Sequence, residues 1–272
     1  MVSDVRWDML TVPAHVRQPD QRDPVYSRRA GKTINLSTSA TSIIPELRNL
    51  LSPQEQEHLL CNATMLDFER RGHLLYSEGA DARFLYFIDE GIVRISRCAE
   101  NGRRQILAFR VPGDILGRPE NGRYVNSAET VGPARIYRIA WPRMQQLMLI
   151  EPRLQLHLLM KAADDFRQAE RRIMTLGQQN VTQRLASFIL DLMRVPELFD
   201  EQQSILKLPV NRFDLADYLG TVTKSSERAF SRLEGEGFIR RITSRTIEIL
   251  NVGGLRLLLH EQRHGHSDTS RL

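Results

Sequence analysis

Lys224, Glu227 and Arg228 stand at i, i+3 and i+4 of a segment whose apolar residues are Ala229, Phe230 and Leu233. Residues three and four apart share one face of a helix, so the three charged side chains are presented together, away from the apolar stripe. Arginine offers a rigid fork of donors, glutamate a pair of acceptor oxygens, and lysine a flexible point charge. That set suits the edges of base pairs. Arg228 fits a bidentate pair with guanine O6 and N7, Glu227 can accept from cytosine N4, and Lys224 reaches guanine or phosphate. Thr223 and Ser225, in the first turn, are candidates for phosphate, aided by the positive end of the helix.

Such residues need elements that carry them into a groove. Upstream, Asn211–Leu219 has the spacing of a short helix, with Phe213, Ala216 and Leu219 expected inward. Gly220 follows where the chain turns sharply, a place that suits positive φ. Thr221-Val222-Thr223 is then expected to cap the second helix. A small residue at Ala216 lets two helices cross closely, which makes residues 212–233 a helix-turn-helix pattern. Gly237–Ile242 and Thr246–Leu250 alternate about Thr243-Ser244-Arg245 and read as a hairpin, or wing, beside it. Arg240, Arg241 and Arg245 would add attraction to the phosphate backbone that does not depend on sequence. Six basic residues stand against three glutamates between Thr223 and Arg245, although a structural helical hairpin with a solvated charged face has the same letters.

The rest of the chain supplies a scaffold. Its 272 residues allow more than one core, and 41% apolar with 26% charged content is ordinary globular composition. No apolar run approaches the roughly 18 residues of a membrane span, and Met1–Trp7 lacks a signal-peptide core, so a cytoplasmic chain is expected. Residues 1–42 have no sustained period and read as a mobile arm. Ser52-Pro53-Gln54-Glu55 spells a helix start. Within 43–150, the stretches Asp67–Arg71, Leu74–Tyr76, Phe84–Ile88, Ile92–Arg97, Arg104–Arg110, Ser127–Val131 and Ala134–Ile139 are strand-like, with Gly-rich turns between them. Many short strands predict a jelly-roll barrel, with a generic sandwich as the competing reading.

A helix is expected from Trp141-Pro142 and a longer one over 152–180. On the latter Leu159, Ala162, Phe166, Ala169, Ile173 and Leu176 are spaced 3, 4, 3, 4, 3, an apolar seam. It serves either as a core-facing stripe or as the dimer interface of a symmetric pair. Thr182 is placed to cap a further amphipathic helix bearing Leu185, Phe188, Ile189 and Leu192. The third region, 181–255, ends before a polar tail at 256–272 containing His260, His264 and His266. The fold class expected is α+β: barrel, long helix, winged helix-turn-helix.

Several segments carry a family resemblance. Gly102-Arg103-Arg104-Gln105-Ile106, Pro112-Gly113-Asp114-Ile115-Leu116-Gly117, Arg184-Leu185-Ala186-Ser187-Phe188, Ala216-Asp217-Tyr218-Leu219-Gly220 and Arg228-Ala229-Phe230-Ser231-Arg232-Leu233 resemble the Crp/Fnr family of bacterial transcription regulators, especially its FixK-like branch. The resemblance covers roughly residues 45–255. It implies a cyclic-nucleotide-binding-type barrel, a dimer helix, and a homodimer that binds a palindromic site on double-stranded DNA and activates through RNA polymerase. The branch's reading pattern resembles Glu-x-x-Ser-Arg, whereas Lys224-Ser225-Ser226-Glu227-Arg228 keeps only the arginine. Ser226 replaces a commonly aliphatic residue.

Effector chemistry departs as well. Family members that bind cyclic AMP use a Glu after the barrel glycine and an Arg-Ser pair; the equivalent positions here are Arg118 and Asn126-Ser127, which disfavours that ligand. Two cysteines, Cys61 and Cys98, are too few for the family's iron–sulfur cluster. No cofactor is therefore expected, although an effector of other chemistry is open. Cys98 is a redox candidate if exposed and an inert small side chain otherwise. A metal-dependent jelly-roll enzyme would need clustered histidines, and between Ala63 and Ile139 there is only His73; a non-enzyme is expected. The remaining alternative is a ligand-binding regulatory module that acts through protein contacts.

Overall fold

The computed structural model describes residues 32–34, 53–99, 102 and 104–260. The helix start at Ser52, most of the 1–42 arm, and His264 and His266 lie outside them.

Strand β1 (Lys32–Ile34) runs antiparallel to β2 (Thr64–Phe68), Lys32 opposite Asp67 and Ile34 opposite Met65. The stretch read as an arm thus contributes an edge strand; a three-residue strand is too short to leave a period in the sequence. Helix α1 (Pro53–Cys61) lies between them in the chain. Then come β3 (Leu74–Tyr76), β4 (Phe84–Glu90), β5 (Val93–Cys98), β6 (Arg104–Arg110), β7 (Ile115–Leu116), β8 (Ser127–Thr130) and β9 (Ala134–Ala140). β2 begins three residues before the expected Asp67, because Glu69–Arg71 are exposed and Gly72, at φ +86°, turns the chain. β7, two residues that pair with Tyr86 and Phe87, had no alternation to betray it.

These strands form a five-stranded sheet, β1-β2-β9-β4-β7, and a four-stranded one, β3-β8-β5-β6. Tyr86, Ile88, Val93, Ile95, Leu116, Ala128 and Ile136 fill the space between them. Leu85, Phe87, Ile115 and Ile139 point the other way, onto Met144, Leu147 and Leu154 of the following helices. β4 is therefore buried on both faces, which is why its sequence is a continuous apolar run instead of an alternation.

Helix α2 (Trp141–Ile150) starts with proline in its first turn, and so does the 27-residue α3 (Pro152–Gln178). Helix α4 (Val181–Leu192) buries Leu185, Phe188, Ile189 and Leu192 as expected, but its cap is Asn180, not Thr182. The Asn180 side chain accepts from the Gln183 amide and Gln183 reaches back to the Asn180 N–H, a closed capping box that leaves Thr182 buried inside the helix.

The C-terminal region adds β10 (Phe199–Asp200), β11 (Ile205–Lys207), α5 (Arg212–Leu219), α6 (Thr223–Gly235), β12 (Ile239–Thr243), β13 (Thr246–Ile249) and α7 (Val252–His260). The strands make one sheet, β10-β11-β13-β12. The expected tail from residue 256 is helical as far as His260, with Leu255 and Leu258 buried against α4 residues such as Leu185 and Ile189. Gly254 lies close against a neighbouring side chain: a Cβ there would meet the Phe238 ring at 2.5 Å.

Candidate nucleic-acid interface

α5 is capped by Asn211, whose side-chain oxygen accepts from the backbone amides of Phe213 and Asp214, both at 2.9 Å. Its buried face is Leu215, Ala216 and Leu219 together with Asp214. Phe213, expected inward, is 60% exposed; the helix is rotated so that Asp214 can turn toward the barrel. There the Asp214 carboxylate accepts from Arg94 at 2.6 Å and Arg104 at 2.7 Å, while Arg104 also reaches Asp217 at 2.9 Å. The Gln105 amide donates to the Asp217 carbonyl at 2.5 Å. Beside this clamp Phe109 of β6 packs on Tyr218 and Phe188, with ring centroids 5.2 and 5.9 Å away. The polar partners of this clamp were not recognisable in the sequence, because each pair is more than 100 residues apart.

The turn after α5 is fixed from the other direction. Gly220 sits at φ 64°, ψ 40°, the left-handed region, and its N–H closes the helix on Ala216 and Asp217 carbonyls. Arg184 donates to the Leu219 carbonyl at 2.9 Å and to the Leu176 carbonyl of α3 at 2.8 Å, tying the turn to the end of the long helix. The Arg172 guanidinium lies 3.8 Å from the Tyr218 ring centre, a stacked cation, and its burial pulls its pKa down.

α6 therefore leaves a rigid corner. It buries Ser226, Ala229, Phe230 and Leu233. Ser226, in place of an aliphatic residue, satisfies its hydroxyl by donating to the Thr223 carbonyl at 2.8 Å. The N-cap is Val222, with no side-chain cap; the Thr221-Val222-Thr223 segment does not supply the expected hydroxyl cap, because Thr223 is already in the helix. Lys224, Glu227 and Arg228 are exposed along one side, with Thr223 and Ser225 partly exposed in the first turn. Among the described residues Lys224 and Arg228 have no ion pair.

The wing arginines differ from one another. Arg240 pairs with Glu248 across the hairpin. Arg241 turns back onto α6, contacting Glu234 at 2.6 Å and Glu227 at 3.2 Å. Hydrogen bonds from Arg241 hold the Glu234 carboxyl below the usual carboxylate range. Arg245 is exposed in the turn, at the edge of a cavity of about 260 Å³ between the barrel and this region.

Among the described residues, no element covers the seam of α3 over much of its length. Leu159, Phe166 and Ile173 are 67%, 65% and 70% exposed. Ala169 is exposed too, with Ala162 and Leu176 half-buried.

At the positions that the resemblance assigns to a cyclic nucleotide, the side chains are engaged by protein partners. Arg118 pairs with Asp165 of α3, which also takes Arg110 at 2.5 Å. Asn126 accepts from the Tyr76 hydroxyl at 3.1 Å, and Ser127 accepts from the Glu78 amide at 2.9 Å. Tyr76 stacks on Tyr124 with centroids 4.1 Å apart, and burial raises its pKa. His73 is half-buried, its ring 5.0 Å from that of Phe68. Cys61 and Cys98 are free and exposed. Among the described residues no cluster of metal-ligating side chains forms, and no helix is long and apolar enough to cross a membrane.

A two-sheet barrel, a long helix and a winged helix-turn-helix with an open basic face define a DNA-binding regulator. Comparison with known proteins agrees. The Crp-like helix-turn-helix domain matches residues 183–258, and the cyclic nucleotide-binding domain matches 69–151. The chain is 32% identical to the transcriptional activatory protein AadR of Rhodopseudomonas palustris, over 61% of this chain and 69% of that one. It is 30% identical to the nitrogen fixation regulation protein FixK of Azorhizobium caulinodans, over 69% and 76%. The structure of FixK2 from Bradyrhizobium japonicum superposes with a TM-score of 0.66 at 28% identity, covering 72% of this chain and 96% of that one. The chain belongs to the Crp/Fnr family of transcription regulators, in its FixK-like branch.

Proposed function

We propose that this chain is a homodimer that binds a two-fold symmetric promoter site and activates by contact with RNA polymerase, acting in the cytoplasm and without catalytic activity. The observation that carries the reading is α6 itself: a helix held by Gly220, Arg184 and the barrel clamp, with Lys224 and Arg228 exposed and, among the described residues, without counter-ions. Such a helix enters the major groove N-terminus first, Lys224, Glu227 and Arg228 toward base edges and Thr223 and Ser225 toward phosphate. Arg240, Arg241 and Arg245 belong to the wing that follows the backbone.

Dimerisation is supported by the exposed apolar seam of α3. Leu159, Phe166 and Ile173 in water are costly singly and complementary when two copies align, with Ala162 and Ala169 allowing close approach. Activation is supported by the named relatives, one of which is a transcriptional activatory protein.

Binding needs no cyclic AMP in this reading. Arg118, the residue in place of the ribose-binding acid, is paired with Asp165, and no arginine stands at Asn126-Ser127 to meet a cyclic phosphate. Nor is an iron–sulfur cluster expected with two cysteines.

The test is selection of duplexes from a random pool by the purified full chain, under reducing and oxidising conditions, with and without cyclic AMP. A two-fold symmetric winner, indifferent to the nucleotide, is expected; a redox difference would bring Cys98 or Cys61 into the mechanism. Equal, salt-independent binding of random duplexes would instead favour a regulatory module acting through protein contacts.

A further inference from the structure

Arg241 was grouped with the wing arginines as a phosphate contact, yet its side chain is already engaged. Its backbone N–H donates to Glu234 Oε1 at 2.9 Å, and Nε donates to Glu234 Oε2 at 2.7 Å. From that anchored position Nη1 donates to Glu227 Oε2 at 3.2 Å. The guanidinium carbon also stands 5.8 Å from the centre of the Phe230 ring, whose buried side chain belongs to the core. The arginine thus has a fixed base on α6 and one arm extended to the carboxylate that faces the groove.

Glu227 needs such help. A glutamate in the first turns of a recognition helix stands near phosphates, so its charge opposes DNA unless a cation is beside it or a cytosine amine donates to it. Its side chain is 48% exposed, and among the described residues its side-chain hydrogen-bond partner is Arg241. A single N–H···O bond leaves the second carboxylate oxygen open to receive a base-edge donor.

We infer that Arg241 is a positioning residue for base recognition: it orients Glu227 and offsets part of its charge so that the free carboxylate oxygen reads cytosine N4. This rests on the assignment of Glu227 to base reading. Glu234 takes part as the anchor of Arg241, without reaching DNA.

A double-mutant cycle on the full chain tests this, using R241Q, E227Q, their combination, and E234Q as a milder variant that keeps both other residues. Affinity is measured on the selected site and on duplexes altered one base pair at a time, at two salt concentrations, with thermal unfolding as a check on folding. R241Q is expected to lose roughly fivefold to tenfold discrimination at one base pair, the same pair affected by E227Q, and to add little in the E227Q background. E234Q should move the same base pair by a smaller factor. Uniform weakening on every duplex with a lower salt slope, undiminished in the E227Q background, would overturn the inference and return Arg241 to the phosphates. If E227Q alone leaves every base pair unchanged, the base-reading assignment of Glu227 fails, and the inference with it.

Discussion

On one flank of the helix-turn-helix, Arg94 and Arg104 donate to Asp214 and Asp217 at 2.6–2.9 Å; in the next helix, Lys224 and Arg228 meet no carboxylate among the described residues. The residue types are alike and the consequences opposite. Arg94 is 14% exposed and Asp214 4%, so their charges are largely removed from water and neither can lose the other without leaving a buried charge short of a partner. Cations left in solvent contribute little to stability, and for that reason remain available to a polyanion. A single protein thus divides its basic residues between fixing an orientation and exploiting it, and the carboxylate partner, not the cation, decides which.

The most disruptive way to break this contrast is Asp214→Ala. It leaves Arg94 and Arg104 without their shared acceptor and removes a partner of Asn211, at 2.9 Å, next to the α5 cap. Removing one member of a buried pair costs about 3–5 kcal/mol. Urea unfolding should show that loss, and Asp214→Asn, which keeps a hydrogen-bond acceptor, should recover part of it. An unchanged midpoint for the alanine variant would mean that the clamp does not hold the domains.

Next in size is Phe166→Asp, which places a charge in the middle of the exposed α3 seam. A central apolar anchor of an interface is worth about 2 kcal/mol or more on truncation. Sedimentation should show monomers at micromolar concentration and a loss of affinity for the symmetric site, while the folding midpoint stays close to that of the parent. A variant that remains dimeric would refute the seam.

Arg228→Ala follows, with about 1–3 kcal/mol lost on the preferred duplex and relaxed discrimination at one base pair, measured in a binding titration over single-base variants. The expected loss is in specificity, not folding, since Arg228 is exposed and forms no side-chain hydrogen bond or ion pair among the described residues. This is the converse of Asp214→Ala.

How much of this was readable from the letters depended on distance along the chain. Gly220, the α6 stripe of Ala229, Phe230 and Leu233, and the α3 spacing are local patterns, and each appears where its period put it. Phe213 was misplaced for a physical reason: an aspartate is a poor inward candidate until a barrel arginine is known to await it. The clamp joins residues more than 100 positions apart, and the Asn180 cap was hidden because Thr182 is an equally plausible cap by type. Exposure of Lys224, Glu227 and Arg228 followed from helical geometry, whereas the capture of Arg241 by Glu234 could not, since it depends on how β12 folds back on α6.

The smallest effect concerns the wing, where Arg240 and Arg245 separate the two uses of a cation most finely. Arg240 already has a counter-charge in Glu248. Arg245 has none among the described residues; its backbone N–H is held by Thr243 Oγ1 at 3.1 Å, which steadies the turn and leaves the guanidinium free. A cation that displaces a condensed counter-ion contributes about 0.9 to the slope of log affinity against log salt. Arg245→Ala should therefore lower that slope by close to this amount, equally on all duplexes, and Arg240→Ala by less, because Glu248 offsets its charge before DNA arrives. A slope unmoved by Arg245→Ala would assign its side chain to the neighbouring cavity lined by Glu197 and Leu198 instead of the backbone, and would shorten the wing's contribution to the hairpin's Arg240 alone.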